Sequence, residues 1–129
     1  MPGDVVLDTS VVVAHLHNDK TVTQRLRDAG VLYLSATAAG ELWFGVGRAA
    51  DPVNAAAKLT DFLSIVTLLP VDAEIAQSYG EIKCKLAKDG RPIPENDIWI
   101  AACAVQNALP LAARDPHFTR IEGLELLDW

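Results

Sequence analysis

Four acidic residues, Asp8, Glu41, Asp97 and Asp115, occupy positions from which chemistry could be organised. Asp8 closes the apolar run Val5-Val6-Leu7, and Asp115 lies just beyond the run ending near Ala112 or Ala113. Glu41 stands among Ala38, Ala39, Leu42 and Phe44, while Asp97 follows the proline-rich approach Arg91-Pro92-Ile93-Pro94. Carboxylates brought together repel one another and resist ionisation unless a cation lies between them. Hard oxygen ligands suit Mg²⁺ or Mn²⁺, and no Cys/His arrangement here favours zinc. Mg²⁺ takes one or two carboxylates directly and keeps several waters, so some of the four are expected to act through water. A plainer role stays open for three of them. An Asp after a strand is often a turn residue or helix cap, Asp115-Pro116 is a common turn starter, and Asp97 beside Asn96 could serve helix-terminus electrostatics. Glu41, on a mostly apolar helix, is the hardest to explain that way.

The elements that must carry these acids follow from the apolar periodicity. Val5–Leu7, Val31–Leu34, Val66–Leu69, Leu109–Ala112 and Leu124–Leu127 read as short buried strands. Between them lie helical stretches: Val11–Leu16, and Asp19–Ala29 with Val22, Leu26 and Ala29 on one face and Gly30 as its stop. Ser35 or Thr37 caps the helix of Glu41, whose end Gly45 and Gly47 weaken. Val53–Ile65 offers Ala57, Phe62 and Ile65 inward. Asp72 caps a helix whose Ile75, Tyr79, Ile82 and Leu86 share a face, and Asp89-Gly90 ends it. Proline excludes helix from the 91–94 approach, after which Asn96 caps an apolar helix, Asp97–Asn107. Short apolar strands alternating with helices predict a three-layer α/β/α sandwich with a central, mostly parallel sheet, here one domain over residues 1–129. In such sheets the ligand site lies outside the carboxyl ends of the strands, the edge toward which all four acids fall.

Half the residues are hydrophobic, enough for a substantial core without disulfides. Cys84 and Cys103 lack metal-ligand spacing and read as reduced thiols, one on a helix and one in a core. No stretch approaches a membrane span and the start lacks a secretory signal, so a cytoplasmic location is expected. The net charge of −6 argues against a large electrostatic footprint on nucleic acid. It does not argue against metal-assisted attack on a phosphate, because bound cations reverse the local sign. His15 and His17 lack a third ligand nearby and make a poor zinc site. Trp43, Phe44 and Trp99 read as core or interface aromatics. His117 either touches substrate or packs beside Phe118. A receiver domain is a poor fit, since no late strand-end Lys is present.

Val5-Val6-Leu7-Asp8-Thr9-Ser10, Gly40-Glu41-Leu42, Asn96-Asp97-Ile98-Trp99-Ile100-Ala101-Ala102 and Arg114-Asp115-Pro116-His117-Phe118, in this order, resemble the PIN-domain ribonucleases. Within that family the chain is most similar to the VapC-type toxins of toxin–antitoxin pairs, essentially over its whole length. The resemblance implies a PIN-like fold, with Asp8, Glu41, Asp97 and Asp115 as the acidic active-site set and Asp8 and Asp97 as direct metal ligands. Ser10 and Thr9 become supporting hydroxyls. Two departures from the family pattern bear on Asp115: Ala113 stands where many relatives carry Ser or Thr, and His117 is the residue next to the Phe. The implied activity is Mg²⁺-dependent endoribonuclease cleavage, with Mn²⁺ a possible substitute, by in-line attack of a metal-activated water on an RNA phosphodiester. Arg114 and Arg91 could hold phosphate through bidentate contacts or remain solvated surface arginines. The implied partners are an RNA substrate, a second copy of the chain and a cognate antitoxin that inserts a segment across the site, where an apolar groove near the helix of Glu41 could receive it. The alternative is a non-catalytic binding or regulatory module on the same fold.

Overall fold

The computed structural model describes residues 3–129. Strands β1 (Val5–Leu7), β2 (Leu32–Ser35), β3 (Thr67–Leu69), β4 (Leu111–Ala113) and β5 (Leu126–Asp128) form one sheet in the order β3-β2-β1-β4-β5. Every pairing is parallel. Helices α1 (Thr9–Leu16), α2 (Lys20–Asp28), α3 (Ala36–Gly47), α4 (Pro52–Leu63), α5 (Ala73–Lys88) and α6 (Glu95–Gln106) flank it, giving the α/β/α sandwich. β1 is the central strand. Its Val-Val-Leu run shows no alternation because both faces are covered, and all three residues are buried.

Capping sets where the helices start. The side chains of Asp19, Ser35, Asp51 and Asp72 accept from the backbone N–H of Val22, Ala38, Asn54 and Ile75 at 2.9–3.1 Å, satisfying donors that the first turn leaves unpaired. Ser35, not Thr37, is therefore the cap of α3. That helix runs on through Gly45 and Gly47 to its C-cap at Arg48. α1 begins at Thr9, two residues before the apolar run, because Asp8 caps it.

Four expectations need correction. α6 starts at Glu95, and Pro94, not Asn96, occupies the cap position without a side-chain hydrogen bond. The amides of Asp97 and Ile98 bond the Pro94 carbonyl at 3.1 and 3.3 Å. On α4 the inward residues are Leu59 and Phe62; Ala57 is exposed and Ile65, beyond the helix, is 61% exposed. β3 is an edge strand with Thr67 and Leu68 exposed. The last strand begins at Leu126, after a turn in which Gly123 takes φ +83°, a conformation glycine adopts without steric cost.

Cys84 is exposed on α5 and Cys103 is buried on α6, both as free thiols. Among the described residues no helix is long and apolar enough to cross a membrane.

Leu59→Ala is expected to cost about 2–5 kcal/mol in urea denaturation, whereas Ile65→Ala should stay within about 0.5 kcal/mol. Equal costs would contradict the assignment of the buried face of α4.

Candidate metal centre

The pairing of β1 with β4 sets the geometry. Val6 and Leu7 stand beside Leu111 and Ala112, and the Asp8 amide donates to the Ala112 carbonyl at 2.9 Å. Both strands therefore end together and deliver Asp8 and Asp115 to one edge. α6 brings the third acid there from its first turn, and α3 the fourth from its second.

Each acid is held by the local structure around it. Asp8 is 4% exposed. Its Oδ2 accepts from the Ser10 amide at 3.2 Å and the Ser10 hydroxyl at 2.5 Å. Ser10 Oγ in turn accepts from the Arg114 amide at 3.3 Å, tying the end of β1 to the chain leaving β4. The Thr9 hydroxyl donates to Glu41 Oε1 at 2.7 Å, joining α1 to α3. Asp115 Oδ1 accepts from the His117 amide at 2.9 Å, capping a short 3₁₀ turn, Pro116–Arg120, which the buried Phe118 anchors.

Electrostatics follow from this crowding. Burial raises the Asp8 carboxyl above the usual carboxylate range; hydrogen bonds from Ser10 and the backbone oppose the rise and the Glu41 charge adds to it. Asp97 is raised from 3.8 to about 6, chiefly by burial and then by the charges of Asp8 and Asp115, with Glu41 contributing less. His117 offsets part of this from close range. Its Nδ1 lies 3.4 Å from Asp97 Oδ2 and 2.9 Å from Asp115 Oδ1, yet this buried ring atom has no directed hydrogen bond to either.

A divalent cation fits this donor set. The donors are predominantly carboxylate oxygens, and a positive charge would offset both the burial and the repulsion that raise Asp97. Ligand atoms of Asp97, Asp115 and His117 lie within 4.8 Å of one another, and Asp8 and Glu41 are close enough to act on Asp97 electrostatically.

The arginines are placed otherwise. Arg114 directs its guanidinium to Asp19, with Nη2 to Oδ2 at 2.7 Å. Asp19 also caps α2, and both contacts hold its carboxyl below the usual range. Arg91 is exposed in the loop before α6, where its amide bonds the Leu86 carbonyl. Sequence reasoning left the role of His117 open and did not pair Asp19 with Arg114. The Asp-Pro-His spacing was visible, but the direction of the ring nitrogen was not.

A cleft of about 480 Å³ opens beside Glu41, lined in part by Thr9, Val13, Leu42, Gly45, Val46 and Lys58 from α1, α3 and α4. Trp43 and Phe44 are exposed on α3 at 43% and 65%, surface aromatics and not core. Trp99 stacks on Tyr79 with ring centroids 3.8 Å apart.

Residues 5–124 match the model of the PIN domain. Ribonuclease VapC2 of Haemophilus influenzae is 32% identical over 127 residues, 96% of each chain. Among solved structures, VapBC2 of Rickettsia felis bound to a DNA fragment from its promoter superposes with a TM-score of 0.93 at 25% identity, covering 98% of each chain. VapBC-5 of Mycobacterium tuberculosis, of the VapBC family of toxin–antitoxin systems, gives 0.80 at 30% identity, over 99% of this chain and 100% of that one.

Because the folded Asp97 carboxyl titrates near 6 and an ordinary one near 3.8, the metal-free folded chain binds the extra proton between those values. Its stability should fall as pH rises from about 4 to about 6 and stay low above, a change of up to about 3 kcal/mol. Asp97→Asn should remove that slope and stabilise the chain at pH 7 in a chelator. Identical urea midpoints for the two proteins at pH 7 would contradict it.

Proposed function

The chain belongs to the PIN-domain family, and we propose that it is a divalent-metal-dependent endoribonuclease, the toxin of a toxin–antitoxin pair acting in the cytoplasm. The observation that carries this reading is the convergence of Asp8, Asp97, Asp115 and Glu41 at one sheet edge, where burial and mutual repulsion raise Asp97. Mg²⁺, with Mn²⁺ as a substitute, is the cation these oxygens suit. A bound divalent ion supplies positive charge for the phosphodiester and acidifies water. Asp8 and Asp97 would hold it directly, and Glu41 and Asp115 would complete the set directly or through water.

The other residues act on these acids. Ser10 fixes Asp8 Oδ2 and leaves its second oxygen free of that contact. Thr9 orients Glu41 in the same way. Arg114 would reach an RNA phosphate only on leaving Asp19, and Arg91 could contact the strand from its loop. Both remain phosphate contacts in this reading.

The antitoxin is placed in the cleft beside Glu41. Its walls are largely apolar, Val13 and Phe44 lie exposed nearby, and Glu41 and Thr9 line its wall. A segment seated there would meet the acidic site at one end, and a basic side chain on it would face the carboxylates directly. A second copy of the chain completes the assembly that the family resemblance implies.

Asp8→Asn and Asp97→Asn should each lower RNA cleavage at least about 100-fold in saturating Mg²⁺, with circular dichroism unchanged. A chelator should do the same to the wild type. Full activity of either variant in a metal-replete assay would overturn the mechanism.

A further inference from the structure

Among the described residues, His117 is the nitrogen ligand that groups with the acids Asp97 and Asp115. It sits two residues after Asp115 on the 3₁₀ turn, which is closed by the Asp115 cap and by the Thr119 hydroxyl donating to the Pro116 carbonyl at 2.7 Å. Phe118, wholly buried, pins the turn to the core. The ring is thus held in place by its neighbours and not by its own hydrogen bonds. Nδ1 is buried and lacks a directed partner, an arrangement that costs free energy unless something else completes it. Its separations from Asp115 Oδ1 and Asp97 Oδ2 are 2.9 and 3.4 Å. Adjacent ligands of a six-coordinate ion, each at about 2.0–2.3 Å, stand roughly 3 Å apart. The two nitrogen–oxygen separations are therefore close to those of neighbouring ligands of one ion, and the ligand atoms of all three residues lie within 4.8 Å of one another.

We infer that His117 Nδ1 is a direct ligand of the divalent cation held between Asp97 and Asp115, so that the site carries one nitrogen among its oxygens. This rests on the reading of those acids as metal-holding residues. A neutral imidazole in place of a further carboxylate has a defined consequence. It contributes little to binding Mg²⁺, which prefers oxygen, and more to binding first-row transition ions. His117 would then determine which divalent ion the site selects.

The experiment uses Mn²⁺ as the probe on the full chain in a nitrogen-free buffer. Pulsed electron paramagnetic resonance should show ¹⁴N coupling from a directly bound imidazole in the wild type, and His117→Ala and His117→Gln should lose it. Mn²⁺ affinity should fall about tenfold in both variants, while Mg²⁺ affinity, read by competition, should change less than about threefold. Mn²⁺ bound to the wild type without nitrogen coupling would overturn the inference and leave the carboxylate site standing. Absence of Mn²⁺ binding, or binding that Asp97→Asn leaves unchanged, would overturn the metal reading beneath it as well. The wild-type spectrum decides the question even where a variant folds poorly.

Discussion

The burial of carboxylates at the carboxyl edge of the sheet, compounded by their mutual repulsion, is the constraint on which the site depends. Four acids could spread into water at little cost, but here the backbone denies them that freedom. Asp8 is buried at the end of the central strand, and the β1–β4 pairing places Asp115 beside it. The hydrogen bonds nearby address the consequence. Ser10 stabilises one oxygen of Asp8, Thr9 one of Glu41, and the turn amide one of Asp115. None of these contacts neutralises a charge, and Asp97, partly buried among the other acids, is raised to about 6 by its burial and then by their charges. In the proposed reading a cation completes this site. Its geometry, however, is set by core packing and caps that need none.

Much of this was legible in the sequence because it is local. Strands of three or four consecutive apolar residues, each followed by a helix, announce a parallel sheet with two covered faces. The acids could then be placed by counting from strand ends. Asp8 and Asp115 do cap their turns, as their types suggested, and this is compatible with a second role because a carboxylate has two oxygens. What could not be read depends on partners distant in sequence. Ile65 has the character of a core residue but falls past the end of α4, and β3 is an edge strand because of an order that no local pattern encodes. Pro94 caps α6 because an extended proline already presents its carbonyl to the first helical amides, which leaves Asn96 no capping task. Arg114 finds Asp19, 95 residues away, and His117 Nδ1 comes close to Asp97, twenty positions earlier, only through the fold.

The acidity of the chain fits this division of labour. With a net charge of −6, the surface as a whole would not attract a polyanion. Two nearby cationic groups are also engaged elsewhere: Arg114 pairs with Asp19, and Lys83 pairs at 3.0 Å with Glu95, the first residue of the helix of Asp97. Affinity for a phosphodiester would then be concentrated where bound cations reverse the sign of the field. Binding and reaction would share one requirement, an ion at the acidic edge.

That concentration makes the cleft beside Glu41 consequential. Its wall contains Thr9 and Glu41, the same pair whose hydrogen bond joins α1 to α3. Gly45 lies one turn further along α3, and the space where a side chain would stand is open. A Cβ there would meet no neighbour, so the residue keeps the cleft wide without relieving any clash. The cleft and the acidic site thus share Thr9 and Glu41. A segment pressing on this wall bears on Glu41 through the helix that carries it, and any group extending past Thr9 enters the field of Asp8 and Asp97. In the proposed reading, the arrangement that gathers the charge also gives a partner a place from which to oppose it.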